Sequence, residues 1–196
     1  MESFSGKVSL MKKTKLNTYT VTLMGVMAAL VYVVTLFRFP LLGSKVHLAN
    51  AVCLLSGLLL GPVWGGVAAG LGSALYDALA GGYDLANVLI TFVSKFAMAW
   101  VCGWLFHREK GLKHPLWRLV VPCVIGALTY VALYMLKTLV FQLFVYGYPM
   151  ETAWVTMLSK LVPSLINAAA AMVAAPVFYQ AVMPALRGVG VLQKIR

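Results

Sequence analysis

HLANAVCLLSGLLLGPVWGGVAAGLGSALYDALA, residues 47–80, is the stretch on which the architecture turns. It is apolar almost throughout, too long for one membrane crossing of about 20 residues and short for two. At its centre GPVWGG, residues 61–66, offers a turn, because Pro62 has no amide donor and Gly61 relaxes the backbone. One helix here gives an odd number of spans before the next basic loop, and a hairpin gives an even number.

The rest of the chain chooses between them. Its 196 residues are 62% hydrophobic and 11% charged, with mean hydropathy +0.89. A soluble domain is nearer half apolar and a quarter charged, so the composition reads as an integral membrane protein. Other apolar runs fall at about 19–38, 86–106, 117–146 and 152–183. The net charge of +11 is not a nucleic-acid signature: eleven of the sixteen Lys and Arg form three clusters beside apolar runs, Lys7 to Lys15, Arg108 to Arg118 and Arg187 to Arg196. If the first two clusters are cytoplasmic, an even number of spans separates them, and the hairpin wins. The expectation is an all-α integral membrane protein, a six-transmembrane-helix bundle with both termini cytoplasmic. FRFPLLGSKVH (37–47), AGGYDLAN (80–87) and YGYPME (146–151) then lie outside.

The basic N-terminus lacks a small-residue cleavage site after a short apolar core, so an uncleaved first span is expected rather than a signal peptide. Met11 reads as a natural start, with the first ten residues an extension. The expected division is a basic cytoplasmic segment at 1–18, a transmembrane domain at 19–186 and a basic tail at 187–196. Cys53, Cys102 and Cys123 have no ligand spacing and read as buried, inert thiols. His107 and His114 lack partners for a metal, and no metal or cofactor is expected.

Three lysines stand inside apolar helices, as in TFVSKFAMAW (91–100), where each adds about 2.5–3.5 kcal/mol to the cost of insertion. Lys95 is eight residues from Asn87, Lys137 nine from Tyr146 and Lys160 nine from Glu151. Each is thus about 12–14 Å from the outer surface. Helix 4 aligns Asn87, Thr91 and Lys95 on one face. Helix 5 offers Tyr130, Tyr134 and Lys137; helix 6 offers Thr152, Thr156, Lys160 and Asn167. Asp77 is a candidate partner for a lysine. A single such lysine snorkels or forms a structural ion pair in the bland account. Three at matched depth, each on a polar stripe, point instead to a shared pocket open to the outside.

Enzyme signatures are missing: there is no HExxH, GxSxG or carboxylate pair at acid–base spacing. A channel is disfavoured by the apolar inner half, VAAGLG (67–72), AMAWVCGWLF (97–106) and AAAAMVAA (168–175). A binding cup sealed on one side fits. Cationic groups favour a ligand with oxygen acceptors, and the tyrosines and Trp154 favour a flat ring.

Gly25 and Ala29, with Ala28 beside them, form a small-xxx-small pattern suited to close helix contact. Gly57, Gly61, Gly65, Gly66, Gly70 and Gly72 add small residues on helices 2 and 3. Internal packing accounts for any one of them. Their abundance opposite the lysine-bearing helices suggests an external protein partner. With no GxxxxGK[ST] loop, energy for uptake has to come from elsewhere.

These elements resemble the substrate-binding S components of energy-coupling factor (ECF) transporters, in the riboflavin-type branch. The matching features are H-L-x-N at His47 to Asn50, G-L-L-x-G-P-x-x-G at Gly57 to Gly65, G-x-G-S-x-x-x-D at Gly70 to Asp77, and Lys95 on helix 4. Gly25-x-x-x-Ala29 is similar to the family's Ala-x-x-x-Ala, with glycine where alanine is favoured; helices 5 and 6 match only loosely. The resemblance implies a non-enzymatic subunit in a prokaryotic plasma membrane. It captures a vitamin or precursor from outside and docks onto a transmembrane coupling subunit driven by two cytoplasmic ATPases. The expected substrate-binding residues are Asn50, Asp77, Tyr83, Asn87, Thr91, Lys95, Tyr134, Lys137, Thr156 and Lys160; Gly25, Ala28 and Ala29 are the expected coupling-subunit contact. The expected cargo is a pyridoxine- or hydroxymethylpyrimidine-type ring. A riboflavin-specific subunit and a ligand-free membrane partner are the alternatives.

Overall fold

The structure is a computed structural model that describes residues 17–41, 44–108 and 115–188. The expected start at Met11, nearly all of the N-terminal segment and most of the basic tail lie outside the described residues. Among the described residues six α-helices follow one another: α1 (Thr18–Leu36), α2 (Ala49–Leu60), α3 (Pro62–Tyr76), α4 (Leu85–Arg108), α5 (Pro115–Val140) and α6 (Met150–Gly188). Among the described residues four helical segments, α1, α4, α5 with its extension, and α6, are long and apolar enough to cross a membrane. The chain is an all-α membrane protein.

The 47–80 stretch breaks at GPVWGG. Gly61 adopts φ 83 at the end of α2, a conformation costly for any residue with a Cβ. Pro62 then opens α3, where its missing N–H would have had no helical partner. The two helices run back along each other: the Ser56 hydroxyl bonds to Gly65 O at 2.8 Å, and Cys53 Sγ lies 3.9 Å from Ser73 Oγ. All of α2 is buried. Its apolar character all round the helix suits a central position between α1, α3, α4 and α6.

The glycines of α2 and α3 correct an expectation. A Cβ on Gly57 would strike the Ala99 carbonyl, and one on Gly65 would lie 2.6 Å from Gly57 Cα. Gly66 and Gly70 receive the rings of Phe96 and Phe92, and Gly72 lies against Ala28 and Val31. These residues close α2 and α3 onto α1 and α4, so their role is internal packing rather than a face for another protein. Of the small residues on α1, Ala28 is buried against α3, whereas Ala29 is exposed and a Cβ added at Gly25 would meet no atom within 4 Å.

Two features had no counterpart in the sequence reading. Phe39–Leu41 and Ser44–Val46 pair antiparallel, with Pro40 opposite Lys45, in the connection between α1 and α2. And α3 and α5 each end in a π-helical turn, Asp77–Gly81 and Phe141–Val145, stopped near Gly82 and Gly147, both at φ 65. All lie at the end of the bundle that carries the α1–α2, α3–α4 and α5–α6 connections. Towards the opposite end, Leu54, Leu58, Met98, Cys102, Cys123, Ala127 and Ala171 form a continuous apolar core.

Candidate functional site

A cavity of about 570 Å³ opens between the helices at the end bearing those connections. It is in the size range of small-molecule sites. Six of the ten expected binding residues stand in its wall on the helices foreseen: Asn87, Thr91 and Lys95 from α4, Tyr134 and Lys137 from α5, Lys160 from α6. Asp77, in the π-turn after α3, and Tyr83, in the following loop, also line it. The common depth counted along three separate helices is therefore one place in space.

Two expected residues are placed otherwise. Asn50 lies beneath the wall, fully enclosed, and accepts a hydrogen bond from Lys95 Nζ. Thr156 is not in the wall; its hydroxyl bonds to Thr152 O at 2.9 Å. On α6 the lining positions are Lys160, Ser164 and Asn167, a stripe that begins about two turns deeper than Thr152, where the sequence reading began it.

Lys95 is buried at 3% exposure, and its ammonium stands 3.7 Å from the centre of the Tyr130 ring as well as on Asn50. Its contacts are thus an amide oxygen and an aromatic face, not Asp77. The same device recurs around the cavity. Arg38 lies over Tyr76 at 5.1 Å and Lys137 over Phe141 at 5.6 Å, while Lys45, 4.8 Å from the Tyr83 ring centre, donates to the Tyr83 hydroxyl. A ring quadrupole attracts a cation that has lost some of its water. Tyr130 and Tyr134 stack on each other, with ring centres 6.0 Å apart.

Arg38, Lys45 and His47 come from the hairpin connection, and sequence reasoning missed all three. A single α6 residue holds that connection: His47 N–H donates to Asn167 Oδ1 at 2.8 Å, and Asn167 Nδ2 donates to Lys45 O at 2.7 Å. Burial, followed by the fields of Lys95, Lys45 and Arg38, depresses the His47 imidazole to about 3, so it is neutral at ordinary pH. At the rim, the Asn87 amide bonds to Asp84 and holds that carboxyl below its usual range. Gln142, in the π-turn Phe141–Val145, enters the wall on the same stripe as Tyr134 and Thr138, each four residues from the next. Tyr130 and Asn167 were legible on their polar stripes, and Gln142 continues one of them beyond Tyr134 and Thr138; for Arg38 and Lys45 no such spacing existed.

One buried and four half-buried cations, with hydroxyls and aromatic faces, surround the cavity and can hold a small polar ring by hydrogen bonds and stacking. Among the described residues there is no cluster of His, Cys, Asp and Glu that could hold a metal ion. A family model described as ECF-type riboflavin transporter, S component, matches residues 15–183. No curated protein matches the chain.

Proposed function

This chain belongs to the family of ECF-type riboflavin transporter S components, and on that premise we propose that it captures a hydroxylated pyridine or pyrimidine of the pyridoxine or hydroxymethylpyrimidine type. The observation that carries the reading is the convergence of Lys95, Lys137 and Lys160 with Tyr130 and Tyr134 on one cavity. Cations in a membrane span are costly, and here they face a space suited to a flat ring with oxygen and nitrogen acceptors. In this reading Lys137, Lys160, Thr91 and Asn87 contact the ring, while Asn50 and Lys95 form the floor and hold Tyr130. Riboflavin is the second reading, favoured by the matching family and the cavity volume. Titrating the purified chain with pyridoxine, hydroxymethylpyrimidine and riboflavin ranks the two; a preference for riboflavin overturns the first.

The bundle is read as six spans, α2 and α3 forming a short central hairpin, with the cavity facing outside and both termini in the cytoplasm of a prokaryotic cell. The three basic clusters support this orientation. Gly25 and Ala29, facing outwards on α1, are proposed to meet the transmembrane coupling subunit; Ala28, turned towards α3, supports that face from behind. Two cytoplasmic ATPase subunits supply the energy.

A further inference from the structure

We propose that the molecule recognised in this cavity is an anion: a ring carrying a carboxylate or a phosphate ester. The inference rests on the binding reading above and narrows it. Every Lys and Arg outside the three basic clusters lines this cavity: Arg38, Lys45, Lys95, Lys137 and Lys160. Only two carboxylates, Asp77 and Asp84, share the wall, and Asp84 is engaged by Asn87.

Three of the five cations rest on aromatic faces, and the Lys45 ammonium donates to the Tyr83 hydroxyl. An aromatic face holds a cation without cancelling its charge, so the cavity stays positive where a carboxylate partner would have neutralised it. A neutral ligand that displaced water here would leave those charges desolvated and uncompensated; an anion compensates them. Unpaired atoms point the same way. Arg38 Nη1 and His47 Nδ1 are buried with no hydrogen-bond partner, and both residues line the cavity beside Lys45. The guanidinium nitrogen can only donate, so its missing partner is an acceptor. Gln142 Oε1, also in the wall, is buried and unpaired and can only accept. The ligand therefore offers anionic oxygens to the Arg38 side and an N–H or O–H to Gln142.

The experiment uses the full chain in phosphatidylcholine nanodiscs, titrated calorimetrically with matched pairs. These are pyridoxine against pyridoxine 5′-phosphate and 4-pyridoxate, and riboflavin against its 5′-phosphate. Within the pair that binds, the anionic member is expected to bind at least about tenfold more tightly, and Arg38→Gln to weaken it by roughly ten- to a hundredfold, with a smaller loss for the neutral member. Lys45→Met is the second variant, expected to show the same asymmetry, and the comparison on the unaltered chain stands even if neither variant folds. A neutral member that binds as tightly as its anionic counterpart, or equal losses for both in Arg38→Gln, overturns the anion assignment and leaves the vitamin-capture reading intact. No binding by any member of any pair overturns both.

Discussion

Lys95 shows how a charge is tolerated inside an apolar helix. Its ammonium is held by the Asn50 amide oxygen and the Tyr130 ring, and Asn50 is itself enclosed at 1% exposure. Lys95→Met keeps most of the stem but strands the Asn50 oxygen, which should lower stability by about 1–3 kcal/mol. Lys95→Met combined with Asn50→Leu replaces both partners by apolar groups and should recover most of it. Thermal melts in detergent check this; a Lys95→Met chain that melts no lower than the parent yet loses ligand would make the lysine a direct ligand donor. His47 carries a separate expectation. Its folded value of about 3 lies below the ordinary histidine value of 6.5, so between these the unfolded chain binds more protons. The contribution is complete above pH 6.5, is lost as the pH falls towards 3, and makes acid destabilising. His47→Gln should flatten the acid side of the stability profile; an unchanged slope between those limits would contradict the assignment. The lysines were legible because helical spacing converts sequence distance into depth. His47, Arg38 and Lys45 were not, since only the pairing of Phe39–Leu41 with Ser44–Val46 and the Asn167 bonds bring them to the cavity.

Among the elements, the α2–α3 hairpin is the part that composition and turn chemistry described best, through Gly61 and Pro62. What they did not describe is which way its glycines face. A small residue permits close approach, but the sequence does not say whether the approaching helix belongs to the same chain. Gly65 is enclosed by Gly57 and Ser56 backbone, whereas Gly25 is open. Gly65→Ala should therefore cost about 1–3 kcal/mol through overpacking, and Gly25→Ala should leave the melting temperature unchanged. Equal effects of the two would contradict the packing described. Gly25→Trp, by contrast, should abolish association with the coupling subunit and uptake while leaving ligand binding intact. Loss of ligand binding with the complex retained would return this face to the interior. The π-turns were invisible beforehand because apolar periodicity does not register one inserted residue, yet one of them supplies Asp77 and the other Gln142.

At the scale of the whole molecule, the cavity lies at one end of the bundle and apolar packing fills the other. In the proposed orientation, which follows the basic clusters, that filled end faces the cytoplasm. In a background without cysteines, single cysteines at Tyr83 and Tyr148 should label from outside intact cells, and one at Arg108 only after permeabilisation; labelling of Arg108 from outside would invert the orientation. If the cavity holds a small ring molecule taken from outside, mass spectrometry of the purified chain under native conditions detects it. The expected result is one bound organic molecule per chain, absorbing as an aromatic heterocycle, and markedly depleted in Lys137→Met. A cooperatively folded chain, purified from cells grown in vitamin-rich medium, that carries no such molecule and takes up none of the titrated vitamins would contradict it.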